Sequence, residues 1–316
     1  MSFSKYVKNE ILEKKLEDKN CKQSFLSGLV GSIGKLDEAS GELKLGSDIE
    51  NLGKVIDELV FELFAEHIEI VKLENYGINK IDYYNFVFSK TLAERVLIAL
   101  DCGEKTAQGL TLKNTISEKM TSTEQTMKAY VSGVFVATGT SSIKFSDGQR
   151  KTTGYHLEFT SKNHDFLADI STLIAQFDIF AKLIQRKNMF VLYVKDAGEV
   201  SNVLALVGAY DSVLQLQNEM ATREVRNKVN RQTNCMSANI NKTVEASMKQ
   251  VNAIEKIISK IGLENLPEDL QTVALLRLAN TEESLDELLK LSRLPFTKSA
   301  LNHRFKKLLK IAEDLD

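Results

Sequence analysis

The stretch Thr297 to Lys310, TKSALNHRFKKLLK, carries side chains suited to holding a polyanion and contains no acidic residue. Lys298, Arg304, Lys306 and Lys307 can neutralise phosphates, while Ser299, Asn302 and His303 can exchange hydrogen bonds with base edges. Leu301, Phe305, Leu308 and Ala312 recur at helical spacing, so burying them turns the polar set outward. A helical hairpin with a solvated basic face would share this pattern. The segment just upstream favours recognition of a groove. Ser284-Leu-Asp-Glu287 is a capping box, in which the serine hydroxyl accepts from the third helical N–H and the carboxylate reaches back. A helix is therefore expected from Leu285, burying Leu285, Leu288 and Leu289 and ending in the Lys290 to Phe296 turn, where Pro295 lacks the N–H needed to continue. Helix, short turn and basic helix give a helix-turn-helix pattern over about 284–310.

A second polar set precedes it. Arg223, Arg226, Lys228 and Arg231 interleave with Asn227, Asn230, Asn234, Asn239 and Asn241. Arg226, Asn230 and Arg231 are candidate contacts to bases or phosphates. A connecting segment whose asparagines satisfy local backbone groups is an equal alternative. Beyond it, the stripe Val244, Met248, Val251, Ile254, Ile258 and Ile261 reads as core, packed on a helix that begins at Pro267 and buries Leu270, Val273, Ala274 and Leu278.

The chain has 316 residues and a net charge of only −2, which would argue against nucleic acid if the charge were evenly spread. It is not: residues 222–316 hold 16 Lys+Arg against 13 Asp+Glu, and the first 221 hold 25 against 30. Cys21, Cys102 and Cys235 are too scattered for a disulfide framework or a cysteine zinc site. His67, His156, His164 and His303 fall in no metal-binding spacing, so neither metal nor other cofactor is expected. Gly28 to Lys35 resembles a phosphate loop until counted: five residues rather than four separate Gly28 from Gly34, and Leu36 follows the lysine. The charged start has no apolar signal core, and no run approaches a membrane span, so a cytoplasmic protein without a membrane partner is expected.

The first 210 residues contain a weak internal repeat. Ser24-Phe-Leu-Ser-Gly-Leu-Val-Gly-Ser-Ile-Gly34 matches Ala129-Tyr-Val-Ser-Gly-Val-Phe-Val-Ala-Thr-Gly139 in pattern. Each copy leads into strand, helix, two strands and helix: Gly41 to Leu45, Ile49 to Phe64, Ile68 to Lys72, Tyr83 to Phe88 and Leu92 to Leu100, then Tyr155 to Phe159, Phe166 to Phe177, Ala181 to Gln185, Met189 to Val194 and Val200 to Val207. Two similar α+β halves packed about a pseudo-twofold axis are expected, over 1–121 and 122–221, followed by a helical domain over 222–316. A mid-helix glycine costs about 1 kcal/mol relative to alanine. Gly28 and Gly133 therefore point to close helix contact, aided by Ser27, Gly31, Ser132 and Ala137. The loop from Ser141 to Gly154, with Lys144, Arg150 and Lys151, reads as a solvated hairpin that could touch a DNA backbone.

These paired motifs resemble the LAGLIDADG homing-endonuclease fold, whose two motif helices form the interface between halves. Active members end each helix in a metal-holding acid; here Ile33 and Thr138 stand at those positions, so no nuclease and no catalytic residue is expected. The whole order of parts resembles the WhiA family of bacterial regulators. That resemblance rests on Tyr155-His-Leu-Glu-Phe159, Ala181-Lys-Leu-Ile184, Arg226-Asn-Lys-Val-Asn-Arg231, Asn234-Cys235, Ala238-Asn-Ile-Asn-Lys-Thr243, Gly262-Leu263, Leu266-Pro267 and Lys298-Ser-Ala-Leu-Asn-His-Arg304. It implies an α+β LAGLIDADG-like domain followed by an all-α helix-turn-helix domain similar to the promoter-reading region of sigma factors. It also implies a partner, double-stranded DNA, and a role in cell division, chromosome segregation and transcription regulation. A nucleoid-associated division factor working through protein contacts of the LAGLIDADG-like domain is the alternative; division or transcription proteins would then be partners.

Overall fold

The computed structural model describes residues 2–77, 81–106, 109–143, 154–292 and 297–315. Pro295 and the loop lysines and arginine at 144, 150 and 151 lie outside these residues. Two compact units emerge, Met1–Arg223 and Glu224–Asp316.

In the first unit, α1 (Phe3–Glu13) is capped by Ser2 and α2 (Lys19–Ile33) by Asp18, whose side chains accept from the Lys5 and Cys21 N–H groups. The opening helix was not anticipated: charged residues alternate with Phe3, Val7 and Ile11, which enter the core from one side. Then follow β1 (Lys35–Leu36), β2 (Leu43–Ser47), α3 (Glu50–Phe64), β3 (Glu69–Tyr76), β4 (Ile81–Phe88) and α4 (Lys90–Ala99). The second half repeats this: α5 (Glu124–Thr138), β7 (Gly139–Ser141), β8 (Leu157–Ser161), α6 (His164–Ala175), β9 (Lys182–Arg186), β10 (Met189–Val194) and α7 (Ala197–Leu206). Both four-stranded sheets are antiparallel and share one topology, β1-β2-β4-β3 and β7-β8-β10-β9. The strands begin and end within a few residues of the expected places. Alternation explains why: Leu43 and Leu45, like Leu157 and Phe159, enter the core while their neighbours stay at the surface. The hairpin β5 (Gly103–Thr106) and β6 (Gly109–Leu112) has mostly exposed residues, and its apolar alternation is confined to Leu110 and Leu112, too short a signal to read from the sequence.

Helices α2 and α5 lie side by side at the middle of the core, giving the pseudo-twofold α+β arrangement. Gly28 and Gly133 make the close approach. The serines do something else: Ser27 Oγ donates to Leu100 O (3.3 Å) and Ser132 Oγ to Val207 O (3.2 Å), tying each motif helix to the end of its own half.

The helix α8 (Tyr210–Lys260) is continuous, so the Arg/Asn-rich set and the stripe from Val244 onward share one helix. In the second unit its last turns pack with α9 (Glu268–Ala279), α10 (Leu285–Ser292) and α11 (Lys298–Glu313) around Ile254, Ile257, Leu270, Val273, Ala274 and Leu288. Two sequence expectations need correction. Val244, Met248 and Ile258 are exposed; the buried line of α8 is Ser247, Gln250, Ala253, Ile254 and Ile257, roughly one helical position round from the stripe expected. On α9 Leu270, Val273 and Ala274 are buried as expected, but the fourth buried residue is Arg277, with Leu278 only partly covered. Among the described residues no helix is long and apolar enough to cross a membrane.

Candidate nucleic-acid interface

Thr297 opens α11 by accepting from Ala300 N–H (3.2 Å), and Leu301, Phe305, Leu308 and Ala312 bury its inner face as their spacing required. At about 100° per residue, Ser299, Asn302, His303, Lys306, Lys307 and Lys310 fall in one outward arc roughly 140° wide, and all six are exposed. Among the described residues Lys306, Lys307 and Lys310 have no ion-pair partner. From Ser299 to Lys310 the outward arc is thus cationic, hydrogen-bonding and free of carboxylates; Glu313 enters it only in the last turn.

Lys298 and Arg304 sit at the two margins of that arc, and both are engaged. Lys298 Nζ pairs with Asp286 Oδ2 of α10 at 2.5 Å. Arg304 Nε pairs with Asp269 Oδ2 of α9 at 3.0 Å, and its guanidinium also donates to Ala300 O. These two cations therefore fasten α11 to the helices beneath it as well as adding positive charge. The structure separates them from the centre of the arc in a way the sequence did not indicate.

The helix before the turn begins as expected. Ser284 Oγ accepts from Glu287 N–H (3.3 Å) and Glu287 Oε2 accepts from Ser284 N–H (2.9 Å), a reciprocal cap that holds the Glu287 carboxyl below its usual range. Under it lies Arg277, 2% exposed. Its Nε donates to Gln250 Oε1 of α8 (2.9 Å), and its Nη1 donates to Asn280 O (3.1 Å) and Glu283 O (2.7 Å). Its guanidinium also lies 5.2 Å from the centre of the Phe305 ring in α11. Burial pushes this guanidinium down from its ordinary range, an effect Glu283 opposes. One buried cation thus joins α8, α9, the cap of α10 and α11. Sequence reading passed over it, though Leu270, Val273, Ala274 and Arg277 share one period, and a charge at a core position is itself a signal.

On α8, Asn230 and Arg231 are exposed and Arg226 is half-exposed. Arg223 is already committed: it pairs with Glu219 (2.7 Å) and stacks 4.5 Å over the Tyr155 ring in the first unit. In the first unit, α2 and α5 end at Ile33 and Thr138, with Gly34 and Gly139 as caps. Thr138 Oγ1 is turned back onto Val134 O (3.2 Å). Among the described residues no group of three His, Cys, Asp or Glu side chains could hold a metal ion.

Comparison with known proteins finds similarity along the full chain. A protein of Clostridium novyi named "Probable cell division protein WhiA" is 35% identical over 321 residues, covering 100% of this chain and 98% of its own length. The chain belongs to the WhiA family. A WhiA relative from Clostridium acetobutylicum bearing the same name is 35% identical over 320 residues, with the same coverage of both chains. Family models for the WhiA LAGLIDADG-like domain and the WhiA C-terminal helix-turn-helix domain match residues 127–226 and 229–312. The crystal structure of full-length DUF199/WhiA from Thermotoga maritima is 25% identical, covers 100% of this chain and 99% of its own, and superposes with a TM-score of 0.57. The WhiA helix-turn-helix match begins on α8 at residue 229 and so takes in Asn230, Arg231, Asn234, Asn239 and Asn241 of the amide-rich segment together with most of α11.

Proposed function

We propose that this protein binds double-stranded DNA sequence-specifically through α11 and acts in bacterial cell division, as a transcription regulator that also serves chromosome segregation. The observation that carries the reading is the outward arc of α11 from Ser299 to Lys310, with six polar or basic side chains and no acid before Glu313 in the last turn, joined to the helices beneath by the Lys298–Asp286 and Arg304–Asp269 pairs. Ser299, Asn302 and His303 lie in the first turn and a half, the part that enters the major groove in helix-turn-helix complexes. Lys306, Lys307 and Lys310 lie further along, suited to phosphates. Arg226, Asn230 and Arg231 extend the same chemistry onto α8. Support for the division role comes from the names of the relatives.

The LAGLIDADG-like unit is proposed as a scaffold without nuclease activity. Ile33 and Thr138 at the motif-helix ends offer no carboxylate to a divalent cation, which the two-metal route to phosphodiester cleavage needs. The binding claim is tested by fluorescence anisotropy of the full chain on labelled duplex over a salt series. With about four cations on phosphates, log K falls against log salt with a slope near −3.6. Affinity that is absent, or indifferent to salt, would refute it.

A further inference from the structure

Between Val225 and Val244, α8 is a single helix in which every residue is at least partly exposed. These twenty residues hold five asparagines, the four cations Arg226, Lys228, Arg231 and Lys242, and no acid. Asparagine is a poor helix former, and a helix of this length with neither face covered is marginal in water. Its surface is nevertheless two-sided. Val225, Val229, Met236, Ile240 and Val244 are 43% to 67% exposed, and with Thr233 they fall in one arc about 100° wide. Asn227, Arg231, Asn234, Asn241 and Lys242 lie on the opposite side. An apolar line of this length on a water-exposed helix marks an interface.

We propose that this line is where two copies of the chain pair, with their α8 helices antiparallel. The spacing carries the choice of occupant. From Val225 the steps are four, four, three, four and four residues, a sequence that reads identically from Val244 backwards. A twofold interface must be self-complementary in this way. Antiparallel pairing sets Val225 against Val244 of the second copy, Val229 against Ile240 and Thr233 against Met236. Charge decides the orientation. The antiparallel register puts Arg226 opposite Thr243, Lys228 opposite Asn241, Arg231 opposite Ala238 and Lys242 opposite Asn227, so no cation in the segment faces another. Parallel pairing in register would set each cation against itself. An acidic partner helix is a poorer match, because only Arg226 and Lys228 border the line and the other cations face away.

Sedimentation equilibrium of the full chain, over low to high micromolar concentration, gives the first test and does not depend on the DNA reading. A reversible dimer is expected, with Val229→Lys/Ile240→Lys raising its dissociation constant by at least ~100-fold while circular dichroism spectra and thermal melts report an intact fold. Orientation is read by oxidative cross-linking in a Cys235→Ser background. Val225→Cys and Val244→Cys together should yield a covalent dimer that neither substitution yields alone. A monomer at every concentration, a dimer indifferent to the two lysines, or a covalent dimer from Val225→Cys alone would overturn the proposal.

Discussion

Gly28 and Gly133 meet across the helix pair in a reciprocal contact: a Cβ on Gly28 would sit 2.3 Å from Tyr130 O, and one on Gly133 would sit 2.2 Å from Phe25 O. Each carbonyl belongs to the residue three places before the opposite glycine, so the two backbones touch through matched atoms. Alanine is worth about 1 kcal/mol over glycine inside a helix, but overpacking against rigid backbone costs about 1–3 kcal/mol or more. Gly28→Ala or Gly133→Ala is therefore expected to destabilise the first unit by about 2 kcal/mol in a denaturant titration. Gly31→Ala should be nearly neutral, because its Cβ would meet only side-chain atoms, the nearest being the Tyr130 hydroxyl at 3.2 Å.

That contact was legible because two glycines in matching apolar helices have few other uses. The inner face of α11 and the Ser284 cap were legible for similar reasons: period and capping act within a few residues. What stayed hidden depends on distant partners. Nothing local to Lys298 or Arg304 reveals Asp286 or Asp269, and Val244, Met248 and Ile258 on α8 read as core because periodicity cannot distinguish a buried face from an exposed one. Arg277 escaped because a guanidinium at a core position requires carbonyl acceptors at 280 and 283 that only the turn geometry provides.

Replacing Arg277 with alanine should strip the Asn280 and Glu283 carbonyls of their donor and leave a void beside Phe305, costing about 3–4 kcal/mol. Arg277→Lys should recover only part of this, since an ammonium cannot reproduce the planar fork. Thermal melts of the three proteins, with DNA affinity as a second readout of the position of α11, give the comparison.

Lys8 makes stability depend on alkaline pH. Burial pushes its ammonium down to about 8 from 10.5, with Asp48 partly offsetting the shift. Below pH 8 both folded and unfolded states hold the proton, so the burial penalty is fully present and Lys8 opposes folding. Between pH 8 and 10.5 the unfolded chain binds the extra proton and stability rises with pH. Lys8→Met should stabilise the protein at neutral pH by on the order of 2 kcal/mol and abolish that rise. Urea titrations at pH values spanning this window measure both effects.

Incubation of the full chain with supercoiled DNA and Mg²⁺ or Mn²⁺ should leave the DNA intact, since Ile33 and Thr138 end the motif helices. Metal-dependent cleavage that persists through repurification and disappears on mutation of this unit would refute the scaffold reading.

The most direct test of sequence-specific binding is a competition titration of Asn302→Ala and Lys307→Ala on a selected duplex and on a scrambled one. Asn302→Ala should cost roughly 1–3 kcal/mol on the selected site and little on the scrambled duplex. Lys307→Ala should weaken both about equally and reduce the salt slope by about 0.9. Equal losses on the two duplexes for Asn302→Ala would mean that α11 does not read sequence, and the central claim would fail.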